Sequence, residues 1–100
     1  MYAIVDIETT GSFPASNGIT EIAIVLHNGV EVEGNYTTLI NPGVPIPQFV
    51  SQLTGIYNYT VADAPPFTQV ADKIYNLLRN RIFVAHNVNF DYTFLRHHLE

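Results

Sequence analysis

One segment with the apolar spacing of an amphipathic helix lies between two short apolar runs typical of β-strands. This order of elements restricts the possible folds more than any other feature of the sequence. The apolar side chains recur at intervals of three, four and seven residues, the spacing of an amphipathic helix, at Phe67, Val70, Ile74, Leu77 and Leu78. A short apolar run, 82–85, follows this helix, and another, 2–7, opens the chain. A helix between two strands of one sheet makes a crossover connection. We therefore expect an α/β domain in which the strand at 82–85 returns to the sheet of the first strand.

Two further strands are predicted before the helical crossover. Residues 19–26 are apolar and β-branched, and Asn28-Gly29 then supplies the residues that favour a two-residue type I′ hairpin. Beyond this turn, apolar and polar residues alternate as far as Ile40, which is typical of a strand with one wet face. Residues 2–7 are short and almost wholly apolar, so we expect a central strand that is buried on both faces.

The remaining segments complete the order β-β-β-α-α-β-α. A short helix is predicted from Pro47 to Thr54 with Gly55 as its C-cap. Asn87 or Asn89 is expected to cap a last helix. With 100 residues, of which 47% are hydrophobic and 13% charged, the chain is expected to form one globular domain with one modest core.

Composition excludes several kinds of function. The chain has no cysteine, so disulfides, thiolate zinc sites and cysteine nucleophiles are excluded. A net charge of −5 with only four Lys and Arg residues argues against a broad basic face for nucleic acid, although an enzyme that meets phosphates through bound cations escapes this objection. We see no signal peptide and no run of about 18 apolar residues, so we expect a cytoplasmic protein without membrane contact.

Two carboxylates, Asp6 and Glu8, stand in or at the end of the first apolar run. Side chains two residues apart on a strand point to the same face, so these two carboxylates can converge on one cation while Ile7 packs on the opposite face. The alternative is that they only mark the solvated end of the strand. Burial of a carboxylate in a strand is unfavourable unless a cation or hydrogen-bond donor pairs with it. If the strand is buried, Asp6 and Glu8 are therefore expected to have such a partner.

Asp91 is the third carboxylate of interest. It lies in the first turn of the last predicted helix, where the helix dipole favours an anion. If the strand at 82–85 is parallel to the first strand and beside it, both end at one edge, and Asp91 meets Asp6 and Glu8 there. Three carboxylates form a hard oxygen site that suits Mg²⁺ or Mn²⁺. The nearby His86 is either an imidazole ligand of the metal or, as we expect, a hydrogen-bonded structural residue. Three histidines are expected to be solvated: His27, His97 and His98.

Two segments resemble motifs of a known enzyme group. Residues 5–11, Val-Asp-Ile-Glu-Thr-Thr-Gly, and residues 85–91, Ala-His-Asn-Val-Asn-Phe-Asp, are similar to the first and second motifs of the DEDD (DEDDh-type) 3′→5′ exonucleases. The order of the intervening segments 40–42, 53–56 and 66–67 resembles that of enzymes like the epsilon subunit of DNA polymerase III. The resemblance covers essentially the whole chain. It implies a ribonuclease H-like fold with a mixed sheet.

The resemblance also implies a catalytic site. It makes Asp6, Glu8 and Asp91 the catalytic metal ligands for two Mg²⁺ or Mn²⁺ ions, which activate water and stabilise the leaving oxygen in an in-line displacement. Thr54 stands where some relatives carry a histidine, so a substrate contact there is expected to be changed or lost. The other expected substrate-binding residues, which turn formation or core packing would also explain, are Thr9, Thr10, Asn87 and Phe90.

The family pattern continues beyond Asp91 with a strand, a general-base histidine and a fourth aspartate. His97 and His98 are too close to Asp91 to replace that base. We therefore expect residues 1–100 to be the N-terminal portion of a single exonuclease domain, truncated before the last strand and helices and nearly inactive alone. The open edge beside 82–85 predicts dimerisation or loose packing. Leu99-Glu100 could be native or the remnant of a tag.

Three functions follow from the resemblance. The first is hydrolysis at the 3′ end of single-stranded DNA in proofreading or repair, with a DNA polymerase subunit as partner in some relatives. The second is trimming of RNA, since nothing in the sequence reads a 2′-hydroxyl. The third is a non-catalytic nucleic-acid-binding or interaction module, against which the three intact carboxylates argue.

Overall fold

A four-stranded mixed sheet is the centre of the fold in a computed structural model that describes all residues, 1–100. Its strands are β1 (Tyr2–Thr9), β2 (Ile19–His27), β3 (Val32–Leu39) and β4 (Ile82–Val84). They lie in the order β3-β2-β1-β4. β1 is antiparallel to β2 and parallel to β4, so the predicted crossover and mixed sheet are confirmed.

Four α-helices accompany the sheet: α1 (Gln48–Thr54), α2 (Asn58–Val61), α3 (Phe67–Leu78) and α4 (Val88–Leu99). A single 3₁₀ turn, Pro14–Ser16, lies in the loop between β1 and β2. α1 begins one residue after the predicted Pro47 and ends at Thr54 as predicted, and α3 covers the predicted apolar repeat. Gly55 closes α1 at φ 77°, in the left-handed region that favours glycine. α2 was not predicted, because a helix of four residues shows no periodicity. None of the helices is both long and apolar enough to cross a bilayer.

The main core lies on one face of the sheet. Alternate residues of β1 point into it, and α3 and α4 cover it. Its buried members on the sheet and helices are Ala3, Val5, Ile7, Ile19, Ile22, Ile24, Ile40, Val70, Ile74, Phe94 and Leu95. A second, smaller cluster joins α1 and α2 around Ile46, Val50, Ile56 and Val61.

The prediction that β1 is buried on both faces is wrong. Tyr2, Ile4 and Asp6 alternate with the core residues and lie exposed on the other face. Ile82 and Val84 of β4 are exposed as well. A strand with one exposed face usually alternates apolar and polar residues. Tyr2 and Ile4 are apolar although they are exposed, so this alternation is absent from the sequence of β1.

The β2–β3 connection also differs from the prediction. The Asn28 side-chain oxygen accepts hydrogen bonds from the N–H groups of Val30 and Glu31, at 2.8 and 2.9 Å. Gly29 has φ 96°, but Asn28 does not have the positive φ that a type I′ turn requires of both central residues. The Asn28 side chain thus holds a four-residue turn, and the ladder shifts register by one residue beside it.

Candidate active site

Asp6 and Glu8 project from β1 on the face opposite the main core. Ile7 between them is buried, whereas Asp6 is exposed and Glu8 is half-buried. β1 pairs with β2 on one side along its length but with β4 only as far as Ile4. The end of β1 that carries both carboxylates is therefore open on the β4 side, where α4 begins.

Asp91 occupies the first turn of α4 and is only 7% exposed. The backbone N–H of Ile7 faces its carboxylate and favours the ionised form, and His86 acts in the same direction. Burial, and less strongly the charge of Asp6, outweigh these effects and raise the pKa of Asp91 above its ordinary value. The structure thus places the third carboxylate against the strand that carries the other two.

Glu8 has three other carboxylates near it, those of Asp6, Glu21 and Asp91. Burial raises its pKa, and the charges of Asp6, Glu21 and Asp91 raise it further. The only ion pair of the molecule joins Arg96 to Glu100 on an exposed face of α4, so no Lys or Arg neutralises this group. An unbalanced negative site remains at the end of β1.

The chemistry of these side chains fits a hard divalent cation, but their present arrangement does not enclose one. No three His, Asp or Glu side chains are gathered closely enough to hold a metal ion together. Burial and, next, repulsion by neighbouring carboxylates raise the pKa of Glu8, and a bound cation would relieve the repulsion. Asp6 is exposed and Glu8 half-exposed, so both have room to turn toward an ion.

Thr9 and Thr10 hold the loop that leaves this strand. The Thr9 hydroxyl donates to the carbonyl of Gly11 at 2.8 Å. The Thr10 hydroxyl donates to the Asn17 side chain at 2.8 Å and accepts from the N–H of Gly18 at 3.1 Å. Both hydroxyls are thus engaged within the loop, and a substrate contact by either residue stays a prediction.

Asn87 and Phe90 lie on an open cavity of about 330 Å³ between that loop and the start of α4. Asn87 is the N-cap residue of α4, as predicted, although its side chain makes no capping hydrogen bond. The cavity is lined by Ser12, Pro14, Asn87, Asn89, Phe90, Thr93 and Phe94. The structure thus brings two of the predicted substrate-binding residues, Asn87 and Phe90, to one cavity.

Thr54 does not line this cavity. Its hydroxyl donates to the carbonyl of Val50 at 3.0 Å and accepts from the N–H of Ile56 at 3.1 Å. It therefore stabilises the end of α1, and its role toward a substrate stays a prediction.

Sequence reasoning missed Glu21. It stands directly opposite Glu8 across the β1–β2 ladder and contributes to the raised pKa of Glu8. Glu21 interrupts the apolar run of β2, and that interruption was the available signal. The strand register that brings it to Glu8 depends on the loop 10–18, whose length alone does not define the pairing.

Three expectations about histidines are wrong. His98 is half-buried rather than solvated: its ring stacks on Phe94 with centroids 5.2 Å apart, and its Nε2 is buried without a hydrogen-bond partner. His86 is exposed and makes no hydrogen bond, because β4 ends two residues before it. His97 is exposed as expected, while the half-buried His27 accepts the N–H of Gly29 at 3.0 Å.

Known proteins are similar to this chain in sequence. The exonuclease family model RNase_T matches residues 3–100. The 3′-5′ exonuclease DinG of Bacillus subtilis (strain 168) is 39% identical over a 100-residue alignment that covers 98% of this chain and 11% of that protein. DinG of Staphylococcus haemolyticus (strain JCSC1435) is 39% identical over 95 residues and is likewise matched over 11% of its length. The chain thus spans about a tenth of these relatives.

Solved structures agree with the sequence comparison. Exonuclease X in complex with 5′ overhanging duplex DNA superposes with a TM-score of 0.81 at 32% identity, over 95% of this chain and 54% of that one. Exonuclease I from Methylocaldum szegediense shares the fold, with a TM-score of 0.86 at 20% identity over 98% of this chain and 23% of that one. The ribonuclease H-like fold and the resemblance to DEDD exonucleases are confirmed. The chain belongs to the RNase_T family of exonucleases.

Proposed function

We propose that this chain is the carboxylate-bearing part of a 3′→5′ exonuclease domain that hydrolyses phosphodiester bonds at the 3′ end of single-stranded DNA. The observation that carries the proposal is the unpaired negative site formed by Asp6, Glu8 and Asp91 at the open end of β1. Without a cation, this site would repel the phosphates of a strand. Its use in phosphodiester hydrolysis therefore requires a divalent ion.

Asp6, Glu8 and Asp91 would hold two Mg²⁺ or Mn²⁺ ions, as the oxygen donors suit hard cations. When bound, such ions supply activation of the attacking water and stabilisation of the leaving 3′ oxygen. The protein positions Asp6 and Glu8 on one face of a strand fixed by β2, and it holds Asp91 over Ile7 from the first turn of α4. The three proposed ligands thus come from two separately packed elements, β1 and α4.

Direction and substrate rest on the relatives. The DinG proteins are named 3′-5′ exonucleases, and exonuclease I has been solved with a dT13 oligonucleotide. In this chain, the cavity between the loop after β1 and the start of α4 is where Asn87 and Phe90 would contact the terminal nucleotide, with Thr9 and Thr10 at the start of that loop. Three further points stay predictions. They are a substrate contact by Thr54, a DNA polymerase subunit as partner, and a cytoplasmic location.

Residues 1–100 are proposed to be one portion of that domain, because the match covers 95% of this chain but only 54% of exonuclease X. β4 pairs only with β1, so its other edge is open. An unpaired edge can add another strand. For the same reason, we propose that two copies of the chain can pair through the open edge of β4 to form the predicted homodimer.

A non-catalytic nucleic-acid-binding module is the second candidate, because no three ligands are gathered around an ion position. A single-turnover assay with the chain in excess over a 5′-labelled single strand and Mn²⁺ separates the two. We expect slow shortening from the 3′ end that Asp6→Asn abolishes and Asp63→Asn, in an exposed loop, leaves unchanged. A strand that is bound equally with and without Mn²⁺, and equally by the wild type and Asp6→Asn, would favour the module, and faster shortening of RNA than of DNA would favour the RNA enzyme.

A further inference from the structure

An aromatic surface lies on α2 and the residue before it. Tyr57 and Tyr59 are 37% and 80% exposed. Their rings are nearly parallel, with centroids 5.5 Å apart and planes 11° apart. Exposed tyrosines in this geometry present flat apolar faces to solvent. We call Tyr57 and Tyr59 the tyrosine pair.

The tyrosine pair belongs to a unit on the same side of the sheet as the carboxylates. Glu8 pairs with Glu21, and Glu21 pairs with Leu39, so the three side chains form one row on one face of the sheet. Leu39 packs against the small core of α1 and α2. Two strand spacings of about 4.8 Å separate Glu8 from Leu39. The α1–α2 unit therefore lies on the same face of the sheet as Glu8, two strands away from it.

The backbone beneath the tyrosine pair is held from both sides. The N–H of Tyr57 donates to the Thr60 hydroxyl at 3.1 Å. The side-chain oxygen of Asn58 accepts the N–H of Ile46 at 2.9 Å. Buried side chains flank the pair in sequence, at Ile56 and Val61. A surface fixed in this way loses little freedom when it binds.

Charge limits what this surface can bind. Asp63 is the only charged residue between positions 40 and 66. The surface thus offers no Lys or Arg to phosphates or to the carboxylates of a protein partner. Aromatic faces, by contrast, stack on nucleobases of any sequence.

We propose that the tyrosine pair stacks on unpaired bases of a single strand whose 3′ end reaches the carboxylates. This inference rests on the proposed function, because a strand must be the substrate for its bases to pass this unit. It assigns base contact to Tyr57 and Tyr59 at the end of the α1–α2 turn, where the Thr54 hydroxyl is already engaged. The bound class is single-stranded nucleic acid, read by stacking rather than by charge.

The test is fluorescence anisotropy of a labelled oligo(dT) of about 12 nucleotides in EDTA, so that nothing is cleaved. We expect the double variant Tyr57→Leu, Tyr59→Leu to bind roughly tenfold more weakly, and the matching phenylalanine variant to bind like the wild type. Tyr75→Leu is the matched control, since Tyr75 is exposed on α3. An abasic strand of equal length should bind weakly and equally to all variants. Thermal unfolding confirms that each variant is folded.

Three results would overturn the inference. They are a leucine variant that binds oligo(dT) like the wild type, a wild type that does not bind it, and a wild type that forms dimers which the leucine variant lacks. Asp6→Asn, tested for shortening in Mn²⁺, reports on the proposed function separately. If Asp6→Asn abolishes shortening while the leucine variant binds normally, the carboxylate site stands and the stacking surface fails. If the leucine variant weakens binding while Asp6→Asn still shortens the strand, the surface stands and the catalytic assignment fails.

Discussion

Glu8 on β1 stands directly opposite Glu21 on β2. Like charges placed opposite each other destabilise a sheet, and no basic side chain lies between them to offset the repulsion. Burial and the charges of Asp6, Glu21 and Asp91 together raise the pKa of Glu8. The fold thus maintains a concentration of negative charge that lowers its own stability, as expected of a site that binds a cation.

Removal of the Glu21 charge should relieve this repulsion. We expect Glu21→Gln to lower the pKa of Glu8 and to increase the free energy of unfolding at neutral pH by about 0.2–1 kcal/mol. Carboxyl carbon NMR titration measures the first effect and urea unfolding the second. Glu31→Gln, in the exposed β2–β3 turn, is the control and should change neither. An unchanged Glu8 titration in Glu21→Gln would contradict the proposed coupling.

The raised pKa values of Glu8 and Asp91 predict how stability depends on pH. The folded chain binds protons at these groups more tightly than the unfolded chain does, so the free energy of unfolding falls as pH rises from the ordinary carboxyl range through the raised values. The cost remains in full above that window. In Asp91→Asn, urea unfolding between about pH 4 and pH 7 should show a smaller fall. A steeper fall in the variant would contradict the sign.

His98 should act in the opposite direction. Burial, and next the neighbouring His97, lower the pKa of His98, while the carbonyls of Pro14 and Asn17 oppose this. The unfolded chain therefore binds the proton more tightly, and stability is lost as pH falls through the ordinary histidine range toward the lowered value.

The charge of His98 can be removed while an aromatic ring is kept at this position. We expect His98→Phe to lose less thermal stability than the wild type between about pH 7 and pH 5. His97→Gln, at an exposed position on the same helix, removes a neighbouring positive charge and should leave most of the dependence in place. Equal pH dependence of His98→Phe and wild type would show that another group is responsible.

Two buried threonines offer a matched test of the loop after β1. Thr10 and Thr20 are each 1% exposed, but the Thr10 hydroxyl makes two hydrogen bonds and the Thr20 hydroxyl makes none. Thr10→Val should lower the free energy of unfolding by about 1–3 kcal/mol, because it leaves the partners Asn17 and Gly18 unsatisfied. Thr20→Val should be neutral or stabilising. Equal losses in urea unfolding would contradict this account of the loop.

Much of the fold could be predicted because local signals and tertiary packing agree. The ends of α3 follow from its apolar period, and the end of α1 follows from Gly55. α2 could not be predicted, since one turn fixed by Thr60 leaves no periodic pattern.

The candidate site could be predicted only in part, for a different reason. Asp6, Glu8 and Asp91 stand out as carboxylates beside apolar runs, whereas Glu21 reaches Glu8 through strand register. The burial of His98 likewise depends on contact between α4 and the loop near Pro14, which is distant in sequence. Register and packing between distant segments are the information that residue patterns lack.

The measurement that tests the central claim most directly is a Mn²⁺ titration of the ¹⁵N-labelled chain, followed by broadening of backbone amide signals. If Asp6, Glu8 and Asp91 share a divalent-cation site, broadening will concentrate at residues 6–10 and 87–91. It will vanish in Asp6→Ala and persist in Asp63→Ala, which lies in an exposed loop. Broadening elsewhere, or equal broadening without Asp6, would show that these carboxylates do not form a common site.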